Sequence, residues 1–228
     1  MDPFSSVAKL YTKFRPTYPK EFVERLGGGL CLDVGCGSGQ LSVALAERFT
    51  SVHAVDRSQA QLDNARQHPR VTYFCHDASL AGFPSCAYDC VTVAQAFHWM
   101  DPERVLPEFH RVLKPQGVLA VMGYATCRID GRGAQHELEA YQATLKWECD
   151  RRRLDAAHAD DVFAPPFAHV ERVFASQQRQ LTKHEFLNYL RSQTSYRGEN
   201  TLAALANALP EQVVAHFPFF MILATRSY

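Results

Sequence analysis

Three glycines at alternate positions, Gly35, Gly37 and Gly39, constrain this chain more than any other feature. They follow a short apolar run, Leu30 to Val34, that reads as a buried strand, and they precede Leu41, Ala44, Leu45, Arg48 and Phe49 at helical spacing. Strand, glycine turn and helix together open a nucleotide-binding βαβ unit. The turn needs glycine because the backbone must bend sharply and let a ligand lie against it with no Cβ in the way. The helix beyond begins with unpaired N–H groups. A dinucleotide fingerprint places its third glycine three residues after the second, whereas here the gap is two. Asp33, two positions before the first glycine, adds a carboxylate at the strand's end. A carboxylate there suits an ammonium group and would repel a pyrophosphate.

The rest of the chain supplies the context that a βαβ reading requires. Ser51 to Val55 predicts a second strand ending at Asp56, about 20 positions beyond the loop, where a carboxylate can accept from both hydroxyls of a ribose. Ser58 is placed to cap a helix over 59–67. Val71 to Cys75 and Tyr88 to Val93 predict the third and fourth strands, and the fourth leads into Gln95, Ala96, Phe97, His98 and Trp99. Ligands lie beyond the carboxyl ends of strands in such sheets, so chemistry is expected in that loop. His98 and Trp99 can equally pack as core aromatics. Pro102 opens a helix through His110, Arg111 to Gly117 reads as a stop, and Val118 to Tyr124 predicts strand five. Residues 131–158 are helical and charged. His169 to Ala175 and Phe217 to Thr225 predict strands six and seven, with a capping box of Thr182 and Glu185 and a second helix, Glu199 to Leu209, between them.

A chain of 228 residues fits one α/β domain, expected here as an N-terminal clasp over 1–26, a cofactor-binding half over 27–124 and a substrate-side half over 125–228. Zero net charge gives no reason to expect a nucleic-acid partner. Seven cysteines without a C-x-x-C pair point to a reducing compartment. There is no signal-peptide pattern at Met1 and no apolar run of membrane-spanning length, so a cytoplasmic protein away from the membrane is expected, as a monomer or weak dimer. No His, Cys and Asp cluster has metal-ligand spacing, and no metal is expected.

The acid-x-Gly-x-Gly-x-Gly pattern around Asp33 resembles motif I of the class I S-adenosylmethionine-dependent methyltransferases. Phe14 to Pro19, Ala94 to Trp99 and Arg111 to Pro115 are similar to one branch, the trans-aconitate and cantharidin methyltransferase-like enzymes of small molecules. One departure is Gln116, where the family usually has a second glycine after Lys114-Pro115. The resemblance implies a Rossmann-like, mostly parallel seven-stranded sheet with an antiparallel last strand and helices on both faces. It also implies S-adenosylmethionine as cofactor and S-adenosylhomocysteine as product. Gly35, Gly37 and Gly39 would line the methionine part and Asp56 would bind the ribose, with Arg57 beside it. Asp77 and Ala78 would meet the adenine, although Asp77 serves equally well as a loop cap. Gln95 and Ala96 would border the methionyl group, and Tyr11, Arg15 and Tyr18 would close over the cofactor.

Methyl transfer is an in-line displacement, so the protein mainly aligns the acceptor and excludes water. His98 is the candidate base or substrate orienter, with Trp99 beside it. The expected acceptor is a small organic molecule, a carboxylate above all, held between the Phe97–Trp99 loop and aromatic or basic residues such as Arg128, Trp147, Tyr196 and Arg197. A protein or RNA methyltransferase and a non-catalytic scaffold that keeps the cofactor fold are the alternatives.

Overall fold

The computed structural model describes residues 14–145, 167–193 and 199–227; Tyr11, Trp147, Tyr196 and Arg197 lie outside them. The described residues fall into two compact units. The larger holds 17–124, 167–175 and 219–227, and the second holds 14–16, 125–145, 176–193 and 199–218.

In the larger unit, the apolar runs become the strands β1 (Gly28–Val34), β2 (Phe49–Asp56), β3 (Val71–Cys75), β4 (Tyr88–Ala94) and β5 (Leu113–Tyr124). These pair in parallel in the order β3-β2-β1-β4-β5. Buried side chains from β1, β4 and β5, including Leu32, Val34, Val91, Val93, Leu119 and Val121, share one core, as strands covered on both faces should. α1 (Lys20–Glu24) precedes β1, and the connections between the strands carry α2 (Gln40–Leu45), α3 (Gln59–Leu62) and α4 (Pro102–Val112). Asp101 caps α4 by accepting from Glu103 N, Pro102 stands in its first turn, and Val105, Leu106, Phe109 and Val112 are its buried stripe. β5 then pairs antiparallel with the last strand, β8 (Gln212–Arg226), from Val118 opposite Thr225 to Tyr124 opposite Phe219.

Strand six is β7 (Phe167–Thr182), which also pairs with β8. All seven expected strands are therefore present, with the last one antiparallel as expected. An eighth, the two-residue β6 (Arg128–Ile129), pairs with β8 in the second unit at His216 and Ala215. That unit also holds α5 (Arg132–Thr144), α6 (Lys183–Arg191) and α7 (Ala203–Ala208). The Thr182 and Glu185 capping box forms at the start of α6, and Tyr189 of that helix packs edge-on against Phe217 with ring centroids 5.1 Å apart.

Two local bounds shift. The helix opened by Pro102 does end within residues 111–117, at Val112, but β5 starts at Leu113 rather than Val118, and its pairing with β4 jumps from Tyr88–Leu113 to Cys90–Val118. Residues 114–117 are looped out of the ladder as a bulge, and Gln116 takes φ +64° there. The helix after Ser58 spans only Gln59–Leu62, and no side-chain bond from Ser58 caps it; Asp56 Oδ1 instead accepts from Ser58 N at 2.9 Å.

Candidate active site

β1 delivers the chain to Gly35 at the carboxyl edge of the sheet, and β2 fixes the turn there. Gly35 N and Cys36 N both donate to Val55 O, at 2.8 and 3.0 Å. Gly39 N donates back to Cys36 O, and Gly39, at φ +73°, starts α2. The three glycines have different reasons to be glycine. A Cβ on Gly35 would stand 2.5 Å from Ala96 Cβ, and one on Gly39 would stand 2.0 Å from the Tyr73 hydroxyl. These two are filled by the protein itself. A Cβ on Gly37 would meet nothing closer than Gln61 Oε1, at 3.8 Å. Gly37 is therefore the one of the three whose Cβ position the described residues leave uncrowded.

Asp33 is placed beneath this loop rather than in contact with solvent, at 1% exposure. Its carboxylate accepts from Ser42 Oγ at 2.6 Å and from Thr92 Oγ1 at 2.8 Å. Both partners are neutral hydroxyls. Burial raises the carboxyl to about 6 against the pull of those two bonds, and the charge of Asp56 adds to the rise. Asp56 stands at the end of β2 with Oδ2 accepting from Gly37 N at 2.8 Å. The field of the two acids reaches their neighbours. The Cys36 thiol is pushed well above its ordinary value by burial, then by Asp33 and Asp56. Tyr73 is pushed up to about 12 by burial, then by Cys36 and Asp33. Negative potential under an open glycine favours a cationic ligand.

The loop after β4 lies directly against this turn through the Gly35–Ala96 approach. Gln95 takes φ +52°, donates its N–H to Met122 O at 2.9 Å and its side-chain amide to Tyr124 O at 3.0 Å. Phe97 enters the core, and Phe97–Trp99 form a single 3-10 turn. His98 is nearly buried, with its ring 5.5 Å from that of Trp99.

The remaining expected residues are more dispersed. Arg57 is exposed, and its carbonyl accepts from Cys75 Sγ. Asp77 is exposed, and its Oδ1 accepts from the Ser79 N–H and hydroxyl, which hold its carboxyl below the usual range. This is the turn role that Asp chemistry anticipates. Ala78 packs against the core. Tyr18, in the larger unit, meets Phe219 edge-on. Arg15, in the second unit, donates to Ser192 O and lies over the Tyr189 ring.

Sequence reading missed Ser42, Thr92, Tyr73 and Gln61. Each is a polar residue on a regular element, and only its tertiary neighbour gives it a role. A cavity of about 500 Å³ opens at the opposite, amino ends of β1 and β4, bordered by Arg25, Asp89, His169 and Glu171. Arg25 is paired there with Glu171 at 2.7 Å and Asp89 with Lys114 at 2.8 Å. Among the described residues, no three His, Cys, Asp or Glu side chains stand together as metal ligands, and no helix is long and apolar enough to cross a membrane.

A parallel sheet whose carboxyl edge carries a glycine turn tied to an acid on the next strand defines the Rossmann-like nucleotide-cofactor proteins. Residues 32–121 match the methyltransferase domain family. A protein of Dictyostelium discoideum, named as a methyltransferase with no substrate in its name, is 31% identical over 206 residues, which span 86% of this chain and 78% of that one. A solved structure from Anaeromyxobacter dehalogenans, described as a type II methyltransferase, is 30% identical with a TM-score of 0.80, covering 94% of this chain and all of that one. A ubiquinone biosynthesis O-methyltransferase of Coxiella burnetii is 34% identical over 100 residues, 41% of this chain and 43% of that one. The chain belongs to the class I S-adenosylmethionine-dependent methyltransferases. Its cofactor is S-adenosylmethionine, and the residues fit that group: an open Gly37, the Asp56 carboxylate beside it and a negative field suited to a sulfonium and an ammonium.

Proposed function

We propose that the protein methylates a small organic acceptor on oxygen, a carboxylate above all, in the manner of the trans-aconitate and cantharidin methyltransferase-like branch. The close approach of Gly35 and Ala96 carries the reading, because it sets the Gln95–Trp99 loop against the cofactor loop. His98 and Trp99 then border the reacting methyl group. The O-methyltransferase of Coxiella burnetii, similar over 100 residues, supports oxygen as the acceptor atom. Balanced charge over the whole chain supports a small acceptor over a polynucleotide.

Bound S-adenosylmethionine supplies a methyl group already activated by the positive charge on sulfur. The chain's own residues supply position. Gly37 lets the ligand lie against the backbone, and Asp56 orients the ribose while holding Gly37 N. Asp33 acts through its field, since its oxygens are engaged by Ser42 and Thr92. His98 either takes a proton from a hydroxyl acceptor or orients a carboxylate, which needs no base. Alignment of this kind lowers the barrier by removing the entropy of a bimolecular encounter.

The test has two arms. Calorimetric titration should show binding of S-adenosylmethionine and S-adenosylhomocysteine, with Asp56→Ala weakening it by roughly 1.5–3 kcal/mol for a charge-assisted bond to the ribose. Turnover against carboxylates, phenols, thiols and amines should find an oxygen acceptor. Activity confined to a protein or a polynucleotide would overturn the proposal.

A further inference from the structure

Gln61 has a buried amide without a visible task. It lies in α3, five residues after Asp56, and is 4% exposed. Its Oε1 is fully buried and has no hydrogen-bond partner. Buried amide oxygens are rarely left so, because they lose water and gain nothing in return. The orphan oxygen faces the open side of Gly37, 3.8 Å from where a Cβ would stand. Asp56 Oδ2 meets the same glycine at its N–H. Two acceptors, one neutral and one charged, thus converge on the one glycine of the three left uncrowded. The nearby backbone donors are spent, Gly37 N on Oδ2 and Ser58 N on Oδ1. The Gln61 oxygen alone lacks a donor among these groups, and a ligand hydroxyl would be one.

We propose that Gln61 is a cofactor-binding residue whose amide pairs with one hydroxyl of the ribose, while Asp56 takes the other; this rests on the cofactor and function given above. A vicinal diol offers two O–H donors at the spacing of adjacent acceptors. A hydroxyl also both donates and accepts, so it satisfies whichever end of the amide faces it. Gln61 is then satisfied only in the loaded protein. The fold carries an unmet acceptor until the ribose arrives, and that acceptor discriminates for an intact ribose.

The test is titration of the wild type, Gln61→Met and Gln61→Leu with S-adenosylhomocysteine and with its 2′-deoxy and 3′-deoxy analogues. Met keeps the length and burial of the side chain and removes the amide. We expect both variants to bind S-adenosylhomocysteine about tenfold more weakly, as for one lost buried hydrogen bond. That difference should vanish for one deoxy analogue and persist for the other. Without ligand the variants should melt no lower than the wild type, since the orphan oxygen is gone. In the wild type, the Gln61 side-chain amide resonances should shift with S-adenosylhomocysteine and stay put with the discriminating analogue. Equal binding by wild type and Gln61→Met, or the same loss for every ligand, would overturn the assignment. Failure of the wild type to bind S-adenosylhomocysteine at all would instead strike the cofactor reading on which it rests.

Discussion

Asp33 and Ser42 are joined carboxylate to hydroxyl at 2.6 Å, buried beneath the glycine turn. The pair links the end of β1 to the first turns of α2, so the acid that precedes the glycines braces the loop from below. It does so at an electrostatic cost.

The cost should appear as a pH dependence of stability. Asp33 is raised to about 6 in the folded protein, against an ordinary 3.8. The folded state therefore holds the proton more tightly than the unfolded chain. Stability from this group is present below about pH 4, falls as pH rises and is lost above about pH 6, roughly 3 kcal/mol in all. Asp33→Asn should melt higher than the wild type at pH 8, and the gap should close towards pH 4. The same variant should lose more affinity for cationic S-adenosylmethionine than for S-adenosylhomocysteine. A variant less stable than the wild type at pH 8 would show that the two hydroxyl bonds outweigh the buried charge.

The three glycines should separate by experiment. Gly35→Ala and Gly39→Ala place a methyl within 2.5 Å of Ala96 and the Tyr73 hydroxyl, at φ +72° and +73°. Both should lower the melting temperature sharply, by about 2 kcal/mol or more of strain and overpacking. Gly37→Ala meets only Gln61 Oε1 at an ordinary 3.8 Å contact, at φ +54°, and should lose only about 1 kcal/mol of stability. Its cofactor affinity should nevertheless fall furthest relative to its stability. Differential scanning calorimetry paired with titration reads both. Equal binding loss per degree of melting in all three would remove the distinction.

His98 should declare its role through pH. If the acceptor is a hydroxyl compound, kcat of the wild type falls on the acid side and His98→Gln loses that limb. With a carboxylate acceptor, His98→Gln keeps most of its rate and the limb follows the substrate's own ionisation. A pH–rate profile of both proteins on the same acceptor distinguishes the cases.

Gln116 holds φ +64° in the β5 bulge, a left-handed conformation that costs side chains with a Cβ. Gln116→Gly should therefore stabilise the protein by about 0.5–1 kcal/mol and raise the melting temperature by roughly 2 °C or more. No change in kcat is expected. A lower melting temperature would mean that the Gln116 side chain contributes more than the strain costs.

The parallel strands were legible because burial on both faces leaves near-continuous apolar runs, as in Leu30 to Val34 and Val118 to Met122. The length of β7 was not. Beyond Ala175 its residues alternate with Ser176, Gln178 and Gln180 exposed, and a polar ladder of that kind is hard to separate from a loop. β6 left no trace because two residues have no periodicity, and only β8 makes them a strand. At the site, spacing brought Gly37 and Asp56 to notice, and they do meet. Spacing could not distinguish a glycine packed under Tyr73 from one open to a ligand, since Tyr73 comes from a different strand. Gln61 carries no signal in the sequence, since its burial comes from the tertiary surroundings of the four-residue α3.

The pairing of β5 with β8 also bears on how the chain is made. Val118 waits for Thr225, and Tyr124 for Phe219, so β5 acquires this neighbour only when residues 219–225 have been synthesised, about a hundred positions later. Until then Val118 to Met122, an apolar segment, presents unpaired backbone groups along one side. A ribosome stalled before residue 219 would hold an unfinished sheet with a ready template for another nascent chain. Truncation before residue 219 would accordingly be felt as aggregation during expression, although the residues removed lie far along the sequence from the glycine turn.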